Sequence, residues 1–139
     1  PDALVAVIAA KSERNQAVPL LDAIPPGRRI DLVGTVDLGT LGACLSRCSF
    51  FVGNDSGLMH MAAATGIPTL GLFGPSKETL YAPWGGRTHW VRTPESFETL
   101  TGALDYDHRT TGTLMDGLTV DMVEDAARQF WQGIKKGTA

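Results

Sequence analysis

The sequence predicts an α/β fold: a parallel sheet with helices packed on both of its faces. Three observations predict it. Short apolar runs suited to strands alternate with segments of helical periodicity along the chain. The run LVAVIAA at 4–10 is continuously apolar, as in a strand buried on both faces. The stretch at 50–76, FFVGNDSGLMHMAAATGIPTLGLFGPS, reads as strand, polar turn, helix, short break and second strand. In such a sheet the ligand crevice lies beyond the carboxyl ends of the strands, and the turn at 53–57 falls at one of those ends.

The elements follow in order. After the first strand, residues 13–24 suit a helix, with Pro19 in its first turns or breaking it, and Pro25-Pro26-Gly27 stops it. Residues 29–33 form a short second strand closed by Gly34. Asp37 caps a helix over 38–47 whose Leu38, Leu41, Leu45 and Cys48 share one side. Phe50, Phe51 and Val52 are the third strand. Gly53-Asn54-Asp55-Ser56-Gly57 is the turn, with either Asp55 or Ser56 as the helix cap, and Leu58, Met61, Ala62 and Thr65 recur at helical spacing. Gly66-Ile67-Pro68 ends that helix, because proline biases the residue before it towards an extended shape. Residues 69–73 are the fourth strand and 89–92 a fifth, with a turn-rich loop at Pro83-Trp84-Gly85-Gly86 between them. The polar segment at 93–117 has no readable period. A last helix covers 118–136, capped by Thr119, with Val123, Ala126, Ala127, Phe130 and Ile134 along one face.

At 139 residues the size predicts one domain with a real core, and 43% hydrophobic against 19% charged residues excludes a disordered chain. A net charge of -3 with scattered Lys and Arg gives no footprint for nucleic acid. No apolar run approaches the roughly 20 residues that span a bilayer, and the first residues are not a signal peptide. Cys44 and Cys48 read as two reduced thiols on a packed helix; a zinc pair would need two more ligands at a recognised spacing. The chain starts at Pro1 and enters a strand almost at once, so a piece of a longer protein is expected.

The candidate chemistry gathers in the central turn. A strand feeding a helix through a glycine-bearing turn leaves N–H groups pointing at one spot, where an anion such as phosphate is favoured. Gly57 lets another group approach that backbone. The dinucleotide fingerprint fails at its second glycine, and Ser56 lacks the G-x-S-x-G frame of a hydrolase nucleophile. Asp55, Ser56 and His60 lie on one helix start, whereas triads draw on separate elements. For Asp55 the plainer role is a helix cap, worth about 1 kcal/mol. His60 is either a histidine bonded inside the fold or a ligand contact, and His89 and His108 read as structural or surface residues. Trp84 is either part of a packed turn or an aromatic that stacks on a ring.

VGNDSGLMHMAAATGIPTLGLFGPS resembles the signature of the lipopolysaccharide heptosyltransferases, glycosyltransferase family 9. There a D-[ST]-G-x-x-H turn opens a helix, followed by small residues, a proline and an F-G-P-[ST] loop. The likeness reaches back through LVGTVDLGTLGACLSRC and forward through Tyr81-Ala82-Pro83-Trp84-Gly85 to Thr119-Val120-Asp121, covering most of 29–131. The resemblance implies the GT-B fold, two Rossmann-like halves facing a cleft, with this chain similar to the C-terminal, donor-binding half. It implies that Asp55, Ser56, Gly57 and Leu58 meet the diphosphate and sugar of a nucleotide-sugar donor, through the N–H groups of the last three and the carboxylate of Asp55 on sugar hydroxyls. By the same likeness His60 lies behind the site, Val36 meets an adenine base through its main chain, and Glu13 binds ribose hydroxyls.

The implied parent is a cytoplasmic glycosyltransferase moving a sugar, ADP-heptose in type, to a lipopolysaccharide or other glycan acceptor. No metal or added cofactor is implied, and contact with the inner face of the membrane belongs to the parent alone. The family's general base, a carboxylate of the N-terminal half, has no counterpart in this sequence. The basic segment whose lysine reaches the diphosphate would precede Pro1, and the turn Gly34-Thr35-Val36 lacks the lysine common there. Alone, such a half binds donor weakly and transfers nothing. Two other readings stand beside it: a non-catalytic nucleotide-binding module that kept the fold, and another GT-B-like enzyme such as a nucleotide-sugar epimerase. The epimerase needs acid/base carboxylates around the cleft, and no such pair is evident.

Overall fold

The computed structural model describes residues 3–102, 106–107 and 110–137. The chain divides into two compact units, Pro1–Ala43 and Cys44–Ala139, each built around its own parallel sheet.

In the first unit, strand β1 (Val5–Val7) pairs in parallel with β2 (Arg29–Asp31), Val5 opposite Arg29 and Val7 opposite Asp31. Parallel strands need a crossover. It consists of a 3-10 turn at Lys11–Glu13, helix α1 (Arg14–Ala23) and a second 3-10 turn at Pro26–Arg28. Ala17 and Leu21, one helical turn apart on α1, meet Val7 and Val33 in a small core flanked by Ala9 and Ile24. Arg14 anchors the helix to the end of β2, donating to Asp31 Oδ1 at 2.8 Å, and the Val33 N–H donates to the same oxygen at 3.1 Å. These bonds, Arg14's first, hold the Asp31 carboxyl below its ordinary value.

Two expectations change here. The strand expected over 4–10 is three residues long, and of those only Val7 is buried, while Leu4 stands 65% exposed. Within its sheet β1 has a neighbour on one side only, so the apolar run is not enclosed. Pro19 lies inside α1 without breaking it, at the cost of the bond to the Asn15 carbonyl.

In the second unit, β3 (Phe51–Asn54), β4 (Thr69–Phe73) and β5 (Thr88–Arg92) form a parallel sheet in that order. Gly53 lies opposite Gly71, Leu70 opposite His89, and Phe73 opposite Arg92. Helix α3 (Gly57–Ala64) carries the chain from β3 to β4 and packs on both. Its buried residues are Met59, Ala62 and Ala63, a face rotated from the expected Leu58, Met61, Ala62 and Thr65. The cause lies on another strand. A Cβ on Gly71 would come within 2.7 Å of the Met59 sulfur, so this glycine makes the space that Met59 fills. Alternation along β4 puts Leu70, with its partner His89, on the opposite face. There the His89 ring meets Phe130 of helix α6 (Val120–Lys135), 5.6 Å between centroids. Helices therefore cover both faces, as the sequence predicts, and His89, expected to be structural or on the surface, is exposed with its ring against Phe130. His108 lies outside the described residues.

Helix α2 (Leu38–Leu45) links the two units in sequence. Leu41 and Leu45 are buried as expected, but Leu38 is exposed. The helix ends before Cys48, whose thiol donates to the Cys44 carbonyl at 3.5 Å, so both cysteines are free and half-buried but only one is helical. Phe50 precedes β3 instead of starting it, its ring packed 5.7 Å from Phe130 and 5.8 Å from Trp131. Two short helices, α4 (Glu78–Tyr81) and α5 (Phe97–Thr101), fill stretches with no readable period, being too brief to show one.

Candidate functional site

At the carboxyl end of β3, Asn54 ends the strand, Asp55 and Ser56 make the turn, and Gly57 opens α3. The strand runs on through Gly53 and Asn54, so the turn is shorter than the one read from the sequence. The Asp55 N–H still joins the sheet, donating to the Leu72 carbonyl at 3.2 Å. Ser56 takes the cap position in extended geometry, φ -163 and ψ 166, yet its side chain makes no capping bond. The first helical bond is that of the His60 N–H to the Ser56 carbonyl, 3.3 Å. Among the described residues, the N–H groups of Ser56, Gly57 and Leu58 therefore have no partner. They point out from the positive end of the helix dipole.

Gly57 is informative for what it does not do. A Cβ there would meet nothing within 4 Å, and its φ is not positive. Neither packing nor backbone strain demands glycine, so the space it leaves is free for a group approaching the amides.

The Asp55 carboxylate is half-buried and lies 3.7 Å from Nε2 of His60, whose side chain is 46% exposed. The histidine is thus not enclosed in the fold; it stands beside Asp55 at the open helix start. Asp55, Ser56, Gly57, Leu58 and His60 are brought together at one place. Glu13 and Val36 belong to the first unit, where their turns adjoin: a Cβ on Gly34 would come within 2.6 Å of Lys11, and Gly34 has φ 62. One Glu13 oxygen accepts the Ala10 N–H at 2.8 Å, closing its 3-10 turn. Val36 is half-buried just before α2.

Beside the open turn, the chain leaving β4 runs through Gly74, Pro75 and Ser76. Arg92, at the end of β5, reaches into that loop. Its guanidinium pairs with Glu78 and donates to the carbonyls of Gly74 at 3.1 Å and Glu95 at 3.0 Å. Side-chain exposure is 18% for Arg92 and 17% for Glu78. Neither residue carries a period or a motif that would mark it in the sequence; only its place at a strand's carboxyl end offers a signal. Trp84 is 91% exposed, so it is not part of a packed turn, although Pro83 before it is buried. Among the described residues, no group of three or more His, Cys, Asp or Glu is placed to hold a metal ion.

Parallel strands ending at a helix start with unpaired amides define an α/β protein of the kind that binds ligands at strand ends. The sequence profile of glycosyltransferase family 9 (heptosyltransferase) matches residues 4–101, and the chain belongs to that family. Lipooligosaccharide heptosyltransferase 2 of Haemophilus influenzae is 29% identical over 94 residues, which are 66% of this chain and 27% of that protein. Lipopolysaccharide heptosyltransferase 2 of Escherichia coli K12 is 36% identical over 62 residues, 45% of this chain and 18% of the other. A solved glycosyl transferase family 9 protein from Veillonella parvula has a TM-score of 0.75 at 23% identity, covering 91% of this chain and 36% of that one. For the E. coli ADP-heptose LPS heptosyltransferase II the values are 0.74 and 20%, covering 95% and 37%. These likenesses bear out the α/β, GT-B-type fold. The chain spans between 16% and 27% of the length of the curated relatives it matches.

Proposed function

We propose that this chain is the donor-binding part of a heptosyltransferase-like enzyme, taking an ADP-linked sugar for transfer to a lipopolysaccharide-type glycan. The observation that supports it best is the open start of α3: the unpaired amides of Ser56, Gly57 and Leu58, with a glycine among them whose Cβ would meet nothing within 4 Å. A diphosphate matches that start. Its oxygens accept charge-assisted bonds from the N–H groups of Ser56, Gly57 and Leu58, and its charge is stabilised by the helix dipole. The Asp55 carboxylate only accepts hydrogen bonds, so it takes sugar hydroxyls rather than phosphate oxygens, and His60 holds its orientation. In the first unit, the same family likeness assigns the Val36 main chain to an adenine and the Glu13 carboxylate to ribose hydroxyls.

In the reaction the acceptor hydroxyl oxygen bonds to the anomeric carbon as the bond from that carbon to the diphosphate oxygen breaks. ADP leaves with the electron pair, and a base outside this chain takes the hydroxyl proton. The amides of α3 stabilise the charge that builds on the departing diphosphate. No metal or added cofactor is assigned a part, and the protein works in the cytoplasm. No helix among the described residues is long and apolar enough to cross a membrane.

Titrating ADP and then an ADP-sugar into the isotopically labelled chain, with amide resonances followed, tests this. Weak binding that moves the Ser56, Gly57 and Leu58 amides is expected. Shifts confined to another part of the chain would end the reading.

A further inference from the structure

We propose that Arg92 is a positioning residue: it holds the loop at 74–76 as the second wall of the open turn at Asp55–Ser56–Gly57–Leu58, so anion binding depends on a side chain that does not touch the anion. The proposal rests on the donor-binding reading of that turn and assigns the geometry behind it.

The placement follows from the sheet. β3 and β4 are parallel and adjacent, with Asn54 opposite Leu72, and the Asp55 N–H extends the ladder to the Leu72 carbonyl. The chain therefore leaves β4 through Gly74 at the same edge and level at which Ser56 and Gly57 leave β3. β5 ends there too, with Arg92 opposite Phe73 and the Thr93 N–H bonded to the Phe73 carbonyl at 3.0 Å.

A loop of Gly, Pro and Ser has little to fix it by itself, and here it is gripped from two sides. A Cβ on Gly74 would come within 2.9 Å of the Leu114 carbonyl oxygen and 2.5 Å of the Met115 sulfur, so the backbone is pressed against that segment. From the other side the Arg92 guanidinium uses its two terminal nitrogens at once, one on Glu78 and the other on the carbonyls of Gly74 and Glu95. This ties the loop, the start of α4 and the stretch after β5 to one planar group. Burial makes the grip effective, because a mostly buried charged pair is little screened by water. The Arg92 Nε is itself buried without a partner among the described residues, so the fork's orientation is set by its outer bonds. A lysine in its place keeps the charge for Glu78 but lacks the rigid fork that spans three acceptors.

The test uses Arg92→Lys in the full chain, with Glu78→Gln as a second variant that keeps the shape of the pair, and Arg128→Lys as a control in an exposed pair on α6. Three quantities are read well below the melting temperature: amide exchange along the chain, affinity for ADP, and affinity for adenosine. R92K is expected to speed exchange at Leu80 and Tyr81, whose N–H groups bond to the Lys77 carbonyl just after the loop, and to weaken ADP about tenfold while adenosine affinity holds. E78Q shifts the same readouts in the same direction by less, and R128K shifts none. A general loss of fold would weaken both ligands alike and quicken exchange everywhere, which would overturn the proposal. So would unchanged ADP affinity in R92K, or weaker ADP with exchange at Leu80 and Tyr81 unaltered. If the unaltered chain binds no ADP at all, the donor-binding reading falls and this inference with it; ADP bound equally by the unaltered chain and R92K removes the inference alone.

Discussion

Two strand-to-helix turns in this molecule are built alike and finished differently. After β2 the chain passes Gly34 and Val36 into α2, and Asp37 closes the helix start itself. Its carboxylate accepts the Thr40 N–H at 3.0 Å and the Thr40 hydroxyl at 2.7 Å. After β3 the chain passes Asp55 and Ser56 into α3, and the start stays open. The acid is turned to His60, and the cap serine makes no bond. Helices α5 and α6 resemble α2, with Ser96 and Thr119 each accepting an N–H of the first turn. A capping side chain satisfies one of the four orphan amides of a helix start, and at α3 that one too is left open. Helices α1 and α4 also start without a side-chain cap, so what sets α3 apart is the open cap together with a first-turn glycine that packing does not require.

Four substitutions break or sharpen that contrast. The largest effect belongs to Gly57→Val. It fills the space before the open amides, and ADP affinity is expected to fall about 100-fold, roughly 2.7 kcal/mol. Because a Cβ there meets nothing within 4 Å, the melting temperature should hold to within about 2 °C. A comparable fall in thermal stability would mean the glycine serves packing after all. Next comes Asp55→Ala, expected to weaken an ADP-sugar about tenfold and ADP less than about threefold by calorimetry. Equal losses for the two ligands would take Asp55 off the sugar.

At the closed turn, Asp37→Ala should lower the melting temperature by a few degrees, and the size of the loss should depend on pH. The bonds from Thr40, its N–H first, hold the Asp37 carboxyl below its ordinary value of 3.8. A carboxyl depressed on folding contributes its stability above the unfolded value and loses it as pH falls through the folded one. The gap between wild type and D37A should therefore be full at neutral pH and close in acid below 3.8. A gap that stays constant into acid would show that the charge on Asp37 plays no part. The smallest effect is assigned to Ser56→Ala, which removes no capping bond and should shift melting by less than about 1 °C, unlike an ordinary cap serine.

Most of the open turn was legible in the sequence. Glycine, proline and small-residue punctuation marks both ends of α3, and β4 occupies the residues expected of it. What escaped reading depends on distant partners. The buried face of α3 is chosen by a missing side chain at Gly71, on the next strand, which local periodicity does not record. Arg92 and Glu78 are 14 residues apart, in a strand end and a short helix, and only the fold makes them a pair. The apolar run at 4–10 promised an enclosed strand, but enclosure is a property of neighbours, and β1 has one within its sheet. The exposure of His60 was equally hidden, since a histidine one turn into a helix suits either side of it.

The contact of Met59 with bare backbone at Gly71 has a consequence for how the family can vary. The sulfur sets the height at which α3 rides on the sheet, so the two positions must change in concert. A relative that carries a methyl or larger group at the strand position needs a shorter residue on the helix. Otherwise the open start of its helix would be lifted out of line with the neighbouring strand ends. Aligned homologues should show that trade as a correlated pair, with neither partner in the open turn itself.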